Sequence, residues 1–367
     1  MNFTVFGLSL TSSWGNGHAT LLRGLFRSLS YLGHRVVFFE YDTPYYSAHR
    51  DAPSLPFADI HLYRSWDDCA AEVRSSLQHS DVGIVTSYCP HASEATQAIQ
   101  SAANVFSIFY DMDTPVTLQQ LEHGNWPSYL PVEGLGSFDL VLSYTGGRAI
   151  EILKSLLKAR RVEPLYGWVD PDTYQKTNSR AEYQCDLSYL GTYSADRQLA
   201  LDTLLIEPAR QLPEKRFIIA GAMYPDRAAW PSNVRSFDHV APPDHASFYS
   251  SGTLTLNVTR GAMASMGYCP SGRLFEAAAC RAPVMSDWWL GLDSFFTPGK
   301  EILIAENSDQ AGSILRLDPR ELSGIAARAR ERTLDCHTAE KRARRLLQLI
   351  ESMPVGSDAL RVCGGVS

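Results

Sequence analysis

A glycine-rich turn near the start of the chain carries a histidine able to take part in proton transfer. Residues 12–18 read SSWGNGH, between an apolar run and a helical pattern, and lack the third glycine of a dinucleotide-binding fingerprint. Gly15 and Gly17 allow backbone N–H groups to approach a ligand at the positive end of the helix dipole. Because that dipole disfavours an imidazolium ion, we expect His18 to be neutral and able to accept a proton. A turn without a ligand and a structural histidine are the alternative interpretations.

Two carboxylates, Asp111 and Asp113, stand at the end of a predicted strand. Their Asp-x-Asp spacing within FYDMDTP is a pattern that holds a divalent ion in some enzymes. Three letters are a weak signal, and the rest of the chain indicates an architecture that needs no such ion, so we predict no metal site. We expect the carboxylates to cap a helix that begins near Thr114 and Pro115 and to contact a polar substrate.

The strongest chemical signal lies between residues 254 and 287. A predicted strand ends near Arg260, and the loop PSG then opens a helix of small residues. On that helix Arg273 and Glu276 are three residues apart and therefore share one face. A guanidinium there can bind phosphate, and a carboxylate can accept hydrogen bonds from ribose hydroxyls. An internal ion pair between the two side chains is the alternative.

The elements that must position these residues alternate as short apolar runs and longer helical patterns, which is typical of parallel α/β units. The predicted strands form two series, at 3–8, 35–40, 82–85, 105–109 and 140–142, and at 187–190, 217–220, 254–258, 284–285 and 302–304. The turn-rich residues 164–174 between the series read as an interdomain connection. We therefore predict two α/β domains, at 1–170 and 171–352, and a flexible tail at 353–367.

Composition narrows the class of protein. A length of 367 residues fits two domains, and 33 Lys and Arg against 40 Asp and Glu argue against a nucleic-acid partner. The seven cysteines contain no C-x-x-C pair, so neither a disulfide framework nor a structural zinc site is expected. No window approaches the roughly 20 apolar residues of a membrane span, and the uncharged first 22 residues lack a basic start. We predict a cytoplasmic protein without an integral membrane segment.

The last helical region, at about 319–352, is rich in arginine. Such a charge run is typical of a solvated helix face. Binding to a membrane surface is the alternative interpretation.

Residues 275–284, FEAAACRAPV, resemble the donor-binding helix of GT-B glycosyltransferases, most closely the CgeB-like glycosyltransferases. The similarity extends to the glycine-rich turn at 7–18, to FYDMDTPVT at 109–117, to YLGTYSADRQ at 189–198 and to the connector WVDPDTY at 168–174. This resemblance implies a GT-B fold, in which two Rossmann-like, doubly wound parallel-sheet domains face each other across a cleft. The acceptor would bind on the N-terminal side and a nucleoside diphosphate sugar on the C-terminal side.

The resemblance and the chemistry of the residues together predict a sugar transfer to a hydroxyl acceptor, which is a small molecule or a glycan. Arginines would stabilise the diphosphate leaving group in place of a bound metal, so we expect no cofactor other than the donor. The predicted donor-binding residues are Gly15, Gly17, Arg197, Arg260, Arg273, Glu276 and Asp287. The predicted catalytic residues are His18, Asp111 and Asp113, with His18 as the base if the transfer inverts the anomeric centre.

Two departures from the family pattern leave the stereochemistry open. Tyr268 stands where many retaining relatives have a glutamate, eight positions before Glu276, and Arg281 replaces the usual glycine after the helix cysteine. We favour retention of configuration and a hexose or deoxyhexose donor. A nucleotide-sugar epimerase or hydrolase on the same fold and a non-catalytic sugar-nucleotide-binding protein are the alternatives.

Overall fold

The first half of the chain folds into a parallel sheet with helices on its faces. The computed structural model describes residues 1–225 and 229–352, so the predicted tail at 353–367 lies outside the described residues. The strands are β1 (Asn2–Gly7), β2 (Arg35–Tyr41), β3 (Asp59–Tyr63), β4 (Val82–Thr86), β5 (Phe106–Asp111), β6 (Leu140–Ser143) and β7 (Val162–Pro164). The helices are α1 (Gly17–Tyr31), α2 (Pro44–Ser47), α3 (Trp66–Gln78), α4 (Ala92–Ser101), α5 (Thr114–Glu122) and α6 (Arg148–Leu156).

The second half repeats this plan. Its strands are β8 (Cys185–Leu190), β9 (Phe217–Ala220), β10 (Val234–Phe237), β11 (Gly252–Asn257), β12 (Val284–Ser286) and β13 (Leu303–Ile304). Its helices are α7 (Ala195–Leu201), α8 (Glu207–Gln211), α9 (His245–Ser251), α10 (Gly261–Met266), α11 (Gly272–Ala279), α12 (Ser308–Ile314), α13 (Pro319–Cys336) and α14 (Ala339–Glu351). A π-helical turn, Asp202–Ile206, joins α7 to α8.

Both sheets are parallel and covered on both faces, as the predicted fold class requires. In the described part of the chain the strand orders are β3-β2-β1-β4-β5-β6-β7 and β10-β9-β8-β11-β12-β13. Alternate residues of β9 enter different cores: Phe217 and Ile219 belong to one, and Ile218 and Ala220 to the other. The order reverses between β1 and β4 in the first sheet and between β8 and β11 in the second. Open parallel sheets bind ligands at the carboxyl ends of the strands at such points.

Helix α1 shows how the sequence pattern produces the first βαβ unit. Leu22, Leu25, Phe26 and Leu29 recur at helical spacing and are buried against the sheet. Gly33 follows the helix with φ of +83°, a conformation that glycine adopts without strain, and the chain then enters β2. The helix therefore begins at the end of the glycine-rich turn, where the sequence places a helical pattern, and stops just before Gly33.

The predicted helical region at 319–352 consists of two helices, and the second returns to the first domain. Ala339, Ala343, Leu346 and Leu349 of α14 share a hydrophobic core with residues of α1 and β1. These residues follow the C-terminal sheet in the chain but pack on the N-terminal domain. Helix α14 thus ties the two domains together by apolar burial.

Arg342 of α14 does not lie on a solvated face, contrary to the expectation for this charge run. The residue is only 9% exposed. Its guanidinium donates hydrogen bonds to the backbone oxygens of Tyr166 at 2.9 Å, Cys336 at 2.9 Å and Gly167 at 3.2 Å. The arginine therefore satisfies the carbonyls of the connector between the two sheets, which explains its burial.

Candidate functional site

A cleft of about 840 Å³ opens between the two domains at the carboxyl ends of their strands. Its N-terminal wall includes Gly15, Gly17, His18, Tyr88 and Asp113, and its C-terminal wall includes Gly191, His239, Arg273 and Glu276. The structure thus brings six of the ten predicted site residues to the cleft surface from distant parts of the chain. This is the place where the sheet topology predicts a ligand.

A buried carboxylate on β2 organises the loop that leads to the glycine-rich turn. Glu40 accepts hydrogen bonds from Ser9 Oγ at 2.8 Å, from the backbone N of Leu10 at 2.7 Å and from the backbone N of Thr11 at 2.9 Å. Such bonds to a charged acceptor are strong, so they hold the loop after β1 in one shape. Sequence reasoning did not single out Glu40, because a lone acid in an apolar strand gives no motif.

His18 lies in the first turn of α1 and faces the cleft. Its Nδ1 atom is buried and has no hydrogen-bond partner among the described residues. Burial lowers the pKa of His18 to about 4. The imidazole is therefore neutral near pH 7, as predicted, although burial rather than the helix dipole is the main cause.

The two predicted carboxylates occupy different environments. Asp113 faces the cleft, where its Oδ2 accepts a hydrogen bond of 3.1 Å from the Tyr88 hydroxyl. Burial raises the pKa of Asp113, and the Tyr88 bond and the charge of Arg260 oppose the rise. Helix α5 begins at Thr114 as predicted, but the Asp113 side chain makes no capping bond. The carboxylate is thus left to face the cleft.

Asp111 lies beneath the cleft surface and is fully buried. Its Oδ1 accepts from Thr117 Oγ1 at 3.0 Å and from the backbone N of Asp113 at 3.2 Å, whereas its Oδ2 has no partner among the described residues. Burial raises the pKa of Asp111 to about 7. The carboxyl group is therefore placed to support Asp113 rather than to touch a ligand in the cleft.

Arg273 on α11 is held in place before any ligand binds. Its Nη1 donates to Asn257 Oδ1 at 3.2 Å, and its guanidinium carbon lies 5.1 Å from the centre of the Tyr189 ring. A Cβ at Gly191 would come within 2.9 Å of Nη2, so the glycine at the end of β8 makes room for the cation. The guanidinium is thus fixed on the cleft wall beside Gly191.

Glu276 follows one turn later and belongs to a cluster that sequence reasoning did not find. Tyr249 donates to Glu276 Oε2 at 3.3 Å, so Arg273 and Glu276 have separate partners. Nearby, the Tyr174 hydroxyl lies 3.3 Å from His245 Nδ1. Tyr174 belongs to the connector motif, which was its only sequence signal, and Tyr249 and His245 had none.

The tautomer of His245 follows from its partners. Its Nε2 lies 3.1 Å from the backbone oxygen of Val240, which can only accept, so Nε2 carries the proton. Nδ1 therefore accepts from Tyr174. The ring links the loop after β10 to the connector and so shapes the deep end of the C-terminal wall.

Two further arginines adjoin Arg273 without forming the cleft surface. Arg197 on α7 donates from Nη2 to the Thr192 oxygen at 2.5 Å, and its Nε is buried without a partner among the described residues. Burial lowers the pKa of Arg197, and the charges of Arg273 and Arg260 lower it further. Arg260 is exposed at the N-terminus of α10. Three neighbouring cations of this kind favour an anionic ligand.

Asp287 connects two loops in the C-terminal domain. Its carboxylate accepts from the backbone N of Thr259 at 3.1 Å, from Thr259 Oγ1 at 2.9 Å and from Ser286 Oγ at 3.2 Å. It does not line the cleft. The structure therefore shows a supporting contact for Asp287, and its direct role in donor binding stays a prediction.

Tyr268, which replaces the expected glutamate, is a contact between the domains. It has φ of +46°, its backbone oxygen accepts from the N of Gly146 at 3.0 Å, and its backbone N donates to Leu290 O at 2.7 Å. Its ring packs so closely on Gly147 that a Cβ there would lie 2.7 Å from Cδ2. The residue thus lies between the N-terminal and C-terminal loops.

The structure also bears on two other sequence expectations. In residues 1–225 and 229–352, no group of three or more His, Cys, Asp or Glu side chains is arranged to hold a metal ion. Across the same residues, every helix is too short or too polar to cross a membrane.

Comparisons with known proteins agree with this architecture. Residues 197–348 match a family model described as glycosyl transferase-like, and no curated protein matches the chain. Sucrose-phosphate synthase from Thermosynechococcus elongatus superimposes with a TM-score of 0.68 at 14% identity, over 96% of this chain and 98% of that one. The chain has the GT-B fold.

Two other solved structures support the same assignment of the fold. Anabaena HepE, in complex with UDP and glucose, has a TM-score of 0.64 at 12% identity, over 96% of this chain and 100% of that one. A glycosyltransferase from Rickettsia africae has a TM-score of 0.64 at 11% identity, over 97% of this chain and 99% of that one. The closer resemblance to CgeB-like enzymes stays a prediction.

Proposed function

We propose that this GT-B protein is a glycosyltransferase that moves a sugar from a nucleoside diphosphate sugar to a hydroxyl acceptor. The observation that carries this proposal is a single cleft with an arginine and a carboxyl group on one wall and a neutral imidazole and a carboxyl group on the other. Arg273 and Glu276 line the first wall, and His18 and Asp113 line the second. The match of residues 197–348 to a glycosyl transferase-like family supports the assignment. So does HepE, a structural neighbour solved with UDP and glucose.

The C-terminal wall supplies the groups that a nucleoside diphosphate requires. Glu276 would accept hydrogen bonds from the ribose hydroxyls. Arg273 would bind the two phosphates, and the charges of Arg197 and Arg260 beside it would help to stabilise the negative charge that develops when the bond between C1 of the sugar and the phosphate oxygen breaks. Transfer of this kind needs no metal ion. The donor sugar we propose is a hexose or deoxyhexose.

The N-terminal wall supplies a proton acceptor for the incoming hydroxyl. In an inverting reaction the acceptor oxygen bonds to C1 as its proton passes to the His18 imidazole. In a retaining reaction, which we favour, the departing phosphate oxygen takes that proton, and His18 and Asp113 hold the acceptor or the sugar by hydrogen bonds. Many retaining relatives have a glutamate where this chain has Tyr268. Glu276 is therefore the single carboxylate of that motif here.

The test is a thermal-shift panel of UDP-, GDP-, dTDP- and CMP-sugars with the full chain, followed by mass detection of products formed from the donor that binds best. We expect one nucleotide class to raise the melting temperature, and transfer to persist in excess EDTA. Activity that returns only on adding manganese or magnesium would contradict the arginine mechanism. Donor turnover that no acceptor accelerates would indicate a hydrolase or epimerase, and stabilisation without turnover a binding protein.

A further inference from the structure

The N-terminal wall of the cleft has no cation with which to bind an anionic acceptor. Among the described residues that line the cleft from this domain, between Leu8 and Tyr144, there is neither lysine nor arginine. Arginines behind the wall are already paired. Arg23 donates two hydrogen bonds of 2.8 Å to Asp51, and Arg50 donates one of 2.6 Å to Asp42. Their charges are therefore neutralised within the domain.

The wall presents a carboxyl group instead. Asp113 faces the cleft, and the neighbouring His18 is a neutral imidazole near pH 7. The cations of the C-terminal domain, Arg273 and the exposed Arg260 whose charge acts on Asp113, would be engaged by the donor diphosphate. A phosphate or carboxylate on the acceptor would thus lie beside a carboxyl group and find no free cation on this wall, which disfavours its binding.

Aromatic rings surround this wall and its rim. Tyr46 and Tyr88 line the cleft. Trp14, at the rim, is 45% exposed and stacks on the His49 ring with centroids 4.7 Å apart and planes 11° apart. On its other side the indole lies 5.5 Å from the ring of His239 in the C-terminal domain. The tryptophan itself does not line the cleft, but its ring lies beside that of His239, which does.

The loop that carries Trp14 is held rigidly. Ser13 donates from its backbone N and its Oγ to Asp51, at 2.9 and 2.7 Å, and Ser12 Oγ donates to the His49 backbone oxygen at 2.8 Å. His49 itself donates from Nδ1 to the Tyr45 oxygen at 3.0 Å, which orients the ring that supports the indole. Keeping a half-exposed tryptophan in one orientation suits a binding surface, because little side-chain entropy is then lost when a ligand binds.

We infer that the acceptor is an uncharged saccharide, which packs an apolar ring face on the aromatic side chains and directs its hydroxyls to the polar groups between them. Asp113, the Tyr88 hydroxyl and His18 provide those groups. A pyranose has hydroxyls around a C–H face, and a wall that carries both aromatic rings and polar atoms can contact both. The inference rests on the proposed transfer reaction and specifies its acceptor.

The experiment compares matched acceptors after the donor has been identified. The full chain is given that donor with neutral methyl glycosides and disaccharides, with the 6-phosphates and uronic acids of the same sugars, and with a phenolic acceptor. Nucleoside diphosphate release and product mass are measured. We expect neutral saccharides to accelerate release at least about tenfold over donor alone, and each anionic counterpart to have a kcat/KM at least about tenfold lower.

A pair of variants tests the aromatic contact. Trp14→Ala should raise the KM for the saccharide at least about fivefold and leave the donor Kd unchanged. Trp126→Ala is the matched control, because Trp126 is 46% exposed in the same domain and its Nε1 donates to the backbone oxygen of Leu130, which does not line the cleft. It should leave the saccharide KM unchanged. A Trp14 variant with the same saccharide KM as the Trp126 variant would overturn the inference.

The outcomes separate this inference from the proposed function. If no nucleotide sugar binds or turns over, the proposed function fails. If donor turns over but anionic or phenolic acceptors are preferred, or if no neutral saccharide accelerates release, the transfer site stands and the saccharide inference is overturned.

Discussion

The assignment of Glu276 to the ribose of the donor can be tested by removing its charge without disturbing the fold. In the structure Glu276 Oε2 accepts a hydrogen bond of 3.3 Å from the hydroxyl of Tyr249, which is a fully buried residue. Glu276→Ala would leave that hydroxyl without an acceptor. Glu276→Gln keeps an oxygen there, so it is the cleaner change.

The magnitudes of the two substitutions differ for this reason. A hydrogen bond to a charged group contributes about 1.5–3 kcal/mol, which corresponds to about a ten- to hundredfold change in affinity. We expect Glu276→Gln to weaken nucleotide binding toward the lower end of that range and Glu276→Ala toward the upper end. An unsatisfied buried hydroxyl destabilises a protein by about 1–3 kcal/mol, so only the alanine variant should also lower the free energy of unfolding.

The assay is isothermal titration of each variant with the nucleoside, its monophosphate, its diphosphate and the donor sugar. Because the ribose is common to all four ligands, a ribose contact predicts the same fold loss for each of them. Urea unfolding provides the stability control. Loss of affinity confined to the donor sugar, or unchanged affinity with lost turnover, would refute the ribose role and make Glu276 a group that acts on the transferred sugar.

Three other predictions concern the groups around Glu276 and across the cleft. Arg273→Gln should weaken binding of the nucleoside diphosphate at least about tenfold, since a charged hydrogen bond is lost, and should leave binding of the nucleoside unaffected. Titration with both ligands checks this, and an equal loss of affinity for the two would count against phosphate contact. Burial keeps the pKa of His18 at about 4, so if the transfer inverts, kcat/KM should stay level from pH 7 down to about 5 and fall near pH 4. NMR of the product shows whether the transfer inverts the anomeric configuration. If it does, His18→Ala should lower kcat about 10²- to 10⁴-fold and leave the donor Kd unchanged. Near-normal turnover of that variant would show that the histidine is structural. The pKa of Asp111 is raised to about 7 in the fold, so the native state loses stability as pH rises from about 4 through 7. The stability of Asp111→Asn relative to the parent should therefore increase over that interval in urea titrations, and a constant difference would show that the carboxyl is not held neutral.

The sequence by itself determined the fold class and most of the elements that carry the site. Leu22, Leu25, Phe26 and Leu29 of α1 follow one helical face, and buried strands such as β4 are continuous apolar runs. These signals are local, so they can be read without knowing what packs on them. The strands that were missed, β3, β7 and β10, all lie at sheet edges and give weaker local signals, since β3 and β10 have partly exposed residues and β7 is only three residues long.

Tertiary structure decided which of the candidate residues meet. Asp111 and Asp113 are two positions apart in the chain, yet one is buried beneath the other, because the strand ends at Asp111 and the chain turns into α5. Tyr249 and His245 join Arg273 and Glu276 only because α9 packs beside α11. None of these partners has a fixed spacing in the sequence, so no motif could reveal them.

The same reason applies to the contacts between the domains. The periodicity of α14 predicts an apolar face but not that this face covers α1, some 300 residues earlier in the chain. Arginine usually lies on the surface. Arg342 is buried because the backbone oxygens of Tyr166 and Gly167, in the connector between the two sheets, need hydrogen-bond donors. Local patterns specify what each element can bury, whereas the pairing of elements distant in sequence depends on the free energy of the whole packed arrangement.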